Sequence, residues 1–473
     1  MPARQSVGMC YPAVQLRHDD RHRRGETVEA PAFDALQRRV RAPLVTRSHP
    51  AYDGARRVWN GMIDRRPLLI VRPESAREVA SAVAFAREQD LPLSVKGGGH
   101  GVAGRAVCDD GLVVDLCRMG AVRVDPAVGM ATVQGGATLR ALDYGSQAHG
   151  LATTAGIYRE TGVAGLALGG GVGLLMRRYG LTCDNLLAAE VVTADGRVLE
   201  ANENENPDLF WALRGGGGNF GVVTRMDFRL SPLTHVFGGR LTYDFADALA
   251  LGCVYRDVMA DASDDLQAYL TYSTGDGEKT ASVMLCHCGP REAGEAVLDR
   301  FRRFRPPVVE HVRWIPYLQM QQHWDDSFPA GKLHFWKSSF LATISDDAIR
   351  IGYEAIACQS MPGCAVDLEP MGGAISRVAP DATAFADRDA ASTLLITTGG
   401  TDPRETEARI AWARETWNAF QPYAKASAYV NYLDQGDEHR TEAVYGPNFQ
   451  RLVEVKRMYD PENIFQHNAN IRP

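Results

Sequence analysis

Val95-Lys96-Gly97-Gly98-Gly99-His100-Gly101 sets one histidine inside a glycine turn, directly after the largely apolar segment Leu91 to Val95. Glycine tolerates positive φ and carries no Cβ, so the backbone N–H groups of such a turn can crowd against a phosphate. A histidine placed there reaches whatever the phosphate is attached to. On the N-terminal side, Leu68-Leu69-Ile70-Val71 reads as a strand and Pro73-Glu74-Ser75 opens a helix over Ala76 to Glu88. On the C-terminal side, Gly111 to Leu116 reads as a strand. Val122 to Gln134 reads as two short strands turning at Pro126-Ala127-Val128-Gly129, and Ala137 to Ala148 as a helix. The unit around the turn is mixed α+β rather than a regular βαβ series.

A chain of 473 residues exceeds what one compact core serves, so two or three domains are expected. The net charge of −7 gives no reason to expect nucleic acid or an anionic membrane as partner. No apolar run reaches the ~18 residues that a membrane-spanning helix needs, and the Arg- and His-rich first 30 residues lack the apolar core of a secretory signal. They read as a disordered arm, with folded sequence starting near Ala32. Nine cysteines at scattered positions suit a reducing compartment, and a cytoplasmic location is expected. Cys286-His287-Cys288 alternates faces on a strand and has no second cluster with ligand spacing, so no metal site is expected.

The 46 glycines are about 10% of the chain against roughly 7% on average, and they are bunched. A second group spans Ala155 to Gly180. Leu187 to Leu199 then reads as a hairpin turning at Ala194-Asp195-Gly196, and Asp208 to Leu213 is a helical stub before Arg214-Gly215-Gly216-Gly217-Gly218-Asn219-Phe220-Gly221. Gly99 to Gly104 and Gly216 to Gly221 both match G-x-G-x-x-G. That pattern marks a dinucleotide site only between a strand and a helix. The first match runs on toward strand sequence, and the second follows a helix and opens a strand. A nicotinamide site is therefore disfavoured, and a long ligand gripped at several points by backbone fits better. From about residue 233 to 420 the glycine clusters thin out, and strands at Gly239 to Tyr243, Gln267 to Thr274 and Ser282 to Cys288 mix with helices such as Arg291 to Phe304. This texture suggests an antiparallel sheet with helices on one face.

Five blocks in order carry a family resemblance: Val95 to Gly104; Thr161-Gly-Val-Ala-Gly-Leu-Ala-Leu-Gly-Gly-Gly-Val-Gly173; Arg178 to Leu186; Asn206 to Val223; and a closing group of Tyr429-Val-Asn-Tyr432, Tyr445-Gly446, Arg451-Leu452 and Tyr459-Asp-Pro-Glu-Asn-Ile-Phe465. From about Tyr52 to Pro473 the chain resembles the berberine-bridge-enzyme-like FAD-linked oxidases of the vanillyl-alcohol-oxidase superfamily, which carry a PCMH-type FAD-binding domain. The resemblance implies an FAD-binding domain of two α+β subdomains over 32–231. It further implies a substrate domain with a large antiparallel sheet covered by helices over 232–420, and a segment over 421–473 that returns to the FAD domain.

The resemblance also implies residue roles. His100 stands where the family joins an imidazole to FAD, and the alternative is an unlinked histidine in a phosphate turn. The backbone amides of Gly97, Gly98, Gly99 and Gly101 are expected to cradle the pyrophosphate, and Lys96 beside them is a further cofactor-binding candidate. Gly156, Thr161, Gly162 and Gly165 match the segment along the ring and ribityl chain, Val223 the adenine end, and Asn431 and Asn468 amides near the ring. Many members carry a second, cysteinyl link, but Tyr158 stands at that place here. A phenol cannot make that bond, so a single link through His100 is expected, with neither Cys183 nor Cys108 substituting.

For the chemistry, the resemblance points to Tyr429 and Tyr432, with Thr161 and Leu166 leaving room for oxygen. On a strand the odd spacing of the two tyrosines places them on opposite faces, so one of them would meet the substrate. Tyr429 matches the family tyrosine most directly and is favoured as base or relay. A phenol needs help to act as a base at neutral pH, and Lys337, His334 and Glu369 are candidates for it, each with a scaffold role as the alternative. The implied activity is oxidation by FAD of a C–OH or C–N centre in a sugar, alkaloid or other secondary metabolite, with O2 as partner and H2O2 as product, by a monomer or homodimer. A dehydrogenase using another acceptor, and a flavin-carrying binding or resistance protein, remain the alternatives.

Overall fold

The computed structural model describes residues 30–473 apart from 276, 326 and 328. The arm expected over 1–31 lies outside the described residues except for its last two, which open the helix Ala30–Gln37. The chain up to Arg229 builds two small sheets. In the first, Leu69–Val71, Leu112–Asp115 and Leu93–Lys96 run parallel, and Val45–Thr46 adds an antiparallel edge. Helix Ala76–Glu88 packs on it, opened by Ser75, whose hydroxyl accepts the Glu78 N–H. The second sheet is antiparallel, in the order Val122–Asp125, Met130–Gln134, Val222–Arg229, Leu186–Val192 and Val198–Asn202.

Ser231–Pro232 is not a bare linker: it pairs with Leu151–Ala152 and hands the chain to an eight-stranded antiparallel sheet. The strands run across that sheet as Val309–Glu310, His235–Asp244, Thr280–His287, Leu266–Ser273, Cys364–Pro370, Ser392–Gly400 and Leu333–Leu341, and Arg313–Pro316 also pairs with 235–244. Successive side chains alternate between its faces. Leu241, Val283, Leu270, Val366 and Ile396 meet the helices Ala248–Ala260, Arg291–Phe304, Asp346–Ala357 and Thr406–Phe420 in one apolar core. The other face looks back toward the glycine-rich half.

Two of the seams that hold the halves together run through Arg177 and through Trp59 and Asn60. Arg177 donates to the carbonyls of Leu266 (2.9 Å), Met371 (2.6 Å) and Ala262 (3.2 Å). Near the turn, Trp59 N–H donates to Gly99 O at 3.0 Å, and Asn60 Nδ2 bridges Val102 O (2.7 Å) and His334 O (3.0 Å). The segment around Trp59 therefore stitches the first glycine turn to the edge of the large sheet.

Candidate active site

The two halves enclose a cavity of about 940 Å³. Its first wall is backbone. Gly97, Gly98, Gly99 and Gly101 line it together with Gly156, Thr161, Gly162, Gly165 and Val223. A Cβ on Gly98 would lie 2.3 Å from Gly162 N, and Gly99 has φ +67°, so two turns far apart in sequence pack backbone to backbone. A Cβ on Gly101 or Gly165 would meet only open space, so no protein atom stands against their Cα on that side. Gly98→Ala is expected to pry the turns apart and yield protein without bound cofactor, read from the absorbance of the purified chain.

Of the residues expected to bind the cofactor or carry the chemistry, all but Lys96 line this cavity; of the three candidate helpers Glu369 lines it, and His334 and Lys337 do not. Lys96 is the correction. Its ammonium donates to the carbonyls of Ala55 (2.9 Å) and Arg57 (3.0 Å), which satisfies it outside the wall and leaves its side chain no part in the cradle. Cys108 and Cys183 are buried and absent from the cavity wall.

His100 presents a buried Nε2 with no hydrogen-bond partner. Its ring stacks on Trp59 (centroids 4.3 Å, 24°), whose other face stacks on His334 (4.0 Å, 12°), and Tyr158 leans on it at 4.9 Å. Burial, aided by His334, pushes the His100 pKa down to about 3, and burial with nearby Lys332 takes His334 to about 4. Both imidazoles are therefore neutral at neutral pH, and His100 keeps a free lone pair. Arg105 and Asn468 also carry buried polar atoms without partners, Nη2 and Oδ1, in the same wall. Glycine backbone, a neutral imidazole and a guanidinium with one orphaned nitrogen fit a long dinucleotide with an anionic middle. The sequence reading missed Arg105 because a lone arginine beyond a turn carries no local signal.

The second wall is the sheet face with the closing segment. Val430–Tyr432 is a 3-10 turn with Tyr429 as its N-cap, not a strand. Three residues make one full turn of such a helix, so Tyr429 and Tyr432 lie together, edge to face at 4.8 Å, rather than on opposite faces. They are not equivalent. Tyr429 is 1% exposed, and its hydroxyl accepts from Gly171 N–H (3.0 Å) and Asn431 Nδ2 (2.8 Å). Tyr432 donates to both oxygens of Glu369, at 3.1 and 3.2 Å. Thr393 also donates to Glu369, at 2.6 Å. Burial pushes the Glu369 pKa up to about 7, with nearby Asp367 adding to it and the Thr393 and Tyr432 hydrogen bonds opposing it. Of the other proposed helpers, Lys337 is ion-paired to Asp437 and packs beside Trp417, away from the tyrosines.

Residues 67–202 match the family described as FAD binding domain, and residues 428–472 the family described as Berberine and berberine like. Over 92% of its length the chain is 31% identical to (R)-6-hydroxynicotine oxidase of Paenarthrobacter nicotinovorans, covering 97% of that protein. It is also 31% identical to an FAD-linked oxidoreductase of Dictyostelium discoideum, over 88% of this chain and 91% of that one. The chain belongs to the berberine-bridge-enzyme-like FAD-linked oxidoreductases. The crystal structure of 6-hydroxy-D-nicotine oxidase from Arthrobacter nicotinovorans superposes with TM-score 0.86 at 29% identity, covering 92% of this chain and 98% of that one. Berberine bridge enzyme from Eschscholzia californica, at 21% identity and TM-score 0.82 over 93% and 99%, shares the fold. This FAD-linked oxidoreductase thus has the two-part architecture that the sequence resemblance implied, with an FAD-binding domain and a large antiparallel sheet facing it. Among the described residues no cluster could hold a metal ion, and no helix is long and apolar enough to cross a membrane.

Proposed function

We propose that this enzyme is an oxidase of a C–OH or C–N centre in a small organic substrate, with Tyr432 and Glu369 as its proton-accepting pair. The observation that carries this reading is the Tyr432 hydroxyl held on a buried carboxylate inside the cavity. FAD bound along the glycine wall supplies the two-electron acceptor, with O2 as its reoxidant and H2O2 as the product. His100 would hold it by a single covalent bond, since its Nε2 is neutral and unpartnered and Tyr158 replaces the second tether. Arg105, Asn431 and Asn468 would bind it from the remaining sides.

The protein's own part is proton management and exclusion of water. A substrate O–H or N–H passes its proton to Tyr432 Oη while the phenolic proton moves to Glu369. This route avoids a free phenolate, which burial and the Glu369 charge disfavour by holding the Tyr432 pKa well above its ordinary value. Tyr429, favoured as base in the sequence reading, is given a positioning role instead: its hydroxyl anchors Gly171 N–H, and its ring braces Tyr432. Similarity to a protein named (R)-6-hydroxynicotine oxidase supports the oxidase reading over other acceptors.

The test has two readouts. Denatured wild-type protein should carry the mass of one FAD, and His100→Ala should carry none; a wild-type mass without FAD would remove the tether. Peroxide formed in air should equal substrate consumed, and turnover without peroxide would make the enzyme a dehydrogenase.

A further inference from the structure

The sheet wall carries a charge that proton transfer does not use. Arg240 lines the cavity from strand His235–Asp244 and is partly buried. Among the described residues no carboxylate pairs with it, and desolvation alone lowers its pKa. His323 lies close to it: burial pushes the His323 pKa down to about 4, with the charges of Arg240 and His311 adding to the shift. A guanidinium partly withdrawn from water without a counter-charge is costly, and a bound anion offsets that cost.

Its position relative to the tyrosine pair follows from strand register. Arg240 is opposite Met284, and Met284 is opposite Tyr269. Thr271, two residues beyond Tyr269, is opposite Asp367, and Glu369 lies two residues beyond Asp367 on the antiparallel neighbour. Arg240 and Glu369 therefore share one face and one transverse row, three strand spacings apart, or roughly 14 Å between backbones. Between them in that row lie Met284 and Tyr269, and the next row on the same face carries the hydroxyls of Thr242, Ser282 and Thr271 and the buried carboxylate of Asp367, which accepts from Thr271. The glycine cradle lies on the opposite wall, so Arg240 is not part of the phosphate grip.

We propose that Arg240 is a specificity residue that binds a carboxylate of the substrate, so that the enzyme acts on organic acids whose oxidised carbon lies about one cavity length from the carboxylate. This rests on the reading of the cavity as the substrate site. A planar guanidinium matches a carboxylate with two parallel hydrogen bonds, which gives orientation as well as affinity.

The test is calorimetric binding to the holoenzyme of ω-phenylalkanoates, from 3-phenylpropanoate to 8-phenyloctanoate, each paired with its primary amide. At the best chain length the acid should bind about ten- to a hundredfold more tightly than the amide. Arg240→Met should erase that preference, and Arg240→Lys should keep part of it. Because Arg240 makes no side-chain hydrogen bond among the described residues, Arg240→Met should retain the wild-type flavin spectrum as a check of folding. Equal binding of acid and amide, a preference that survives Arg240→Met, or no binding of any acid would overturn the assignment. Glu369→Gln should leave the acid preference in place, so failure of the proton-transfer reading and failure of this one are separable.

Discussion

Glu369→Gln is expected to lower the rate of substrate oxidation by about 10²–10⁴-fold, the usual worth of a positioned proton acceptor. Glutamine keeps the shape and can still accept from Tyr432, so the loss isolates the charge. The pH dependence has a definite sign. Burial lifts the Glu369 pKa to about 7, so the accepting carboxylate forms only as pH rises through that value, and activity should climb with it. Glu369→Gln should flatten that limb, and stopped-flow bleaching of the FAD absorbance across pH 5 to 9 reads both effects. Stability moves the other way. The folded protein keeps this proton above the ordinary carboxyl value of 4.5, where the unfolded chain has released it, so this group costs stability as pH rises from 4.5 through about 7. The variant should therefore be catalytically poor yet at least as stable as wild type at pH 8. A variant that lost activity by unfolding would contradict the assignment.

Lys456→Met is expected to destabilise the fold by about 3–5 kcal/mol, the cost of stranding a buried charge. Lys456 and Asp460 are both 0% exposed and bond at 2.6 Å on the last turn of helix Phe449–Tyr459. The ammonium also donates to Asn219 O (2.8 Å) and Phe465 O (3.0 Å), and Asp460 accepts from Ile464 N–H (2.7 Å) and Phe465 N–H (2.8 Å). The pair thus clamps the closing segment onto the glycine turn that ends at Gly221. Methionine fills the space but leaves the Asp460 carboxylate without its cation. Urea unfolding should show the loss, and Asp460→Asn in the Lys456→Met background should recover part of it. Faster release of FAD from any protein whose His100 link is absent should accompany it.

What the sequence disclosed and what it hid follow one physical rule. The first glycine turn was legible because part of its demand is local, Gly99 sitting at positive φ, whereas the approach of Gly162 that leaves Gly98 no room for a Cβ was not. The large sheet was legible as strands alternating between a core and a lined cavity, as Thr242 and Thr271 do beside Leu241 and Leu270. The tyrosines were misplaced because period-two logic was applied to a 3-10 turn, which no pattern in Tyr429-Val-Asn-Tyr432 distinguishes from a strand. Lys96 was a cofactor-binding candidate only as part of the matching block, and two nearby carbonyls, of Ala55 and Arg57, claim its ammonium. The Trp59 sandwich, Arg105 and Arg240 were invisible because each is defined by partners, or by the absence of partners, far away along the chain.

The cavity wall draws on Val95 at one extreme of the sequence and on Ala469 at the other. A nascent chain still short of His467 therefore lacks part of the enclosure, whatever its earlier segments have already folded. Cofactor capture is in this sense a checkpoint on synthesis: a polypeptide arrested early can form its glycine turns and still be unable to retain a nucleotide. Fluorescence of flavin on ribosome-stalled chains of increasing length should stay flat and then rise once these last residues have emerged from the exit tunnel.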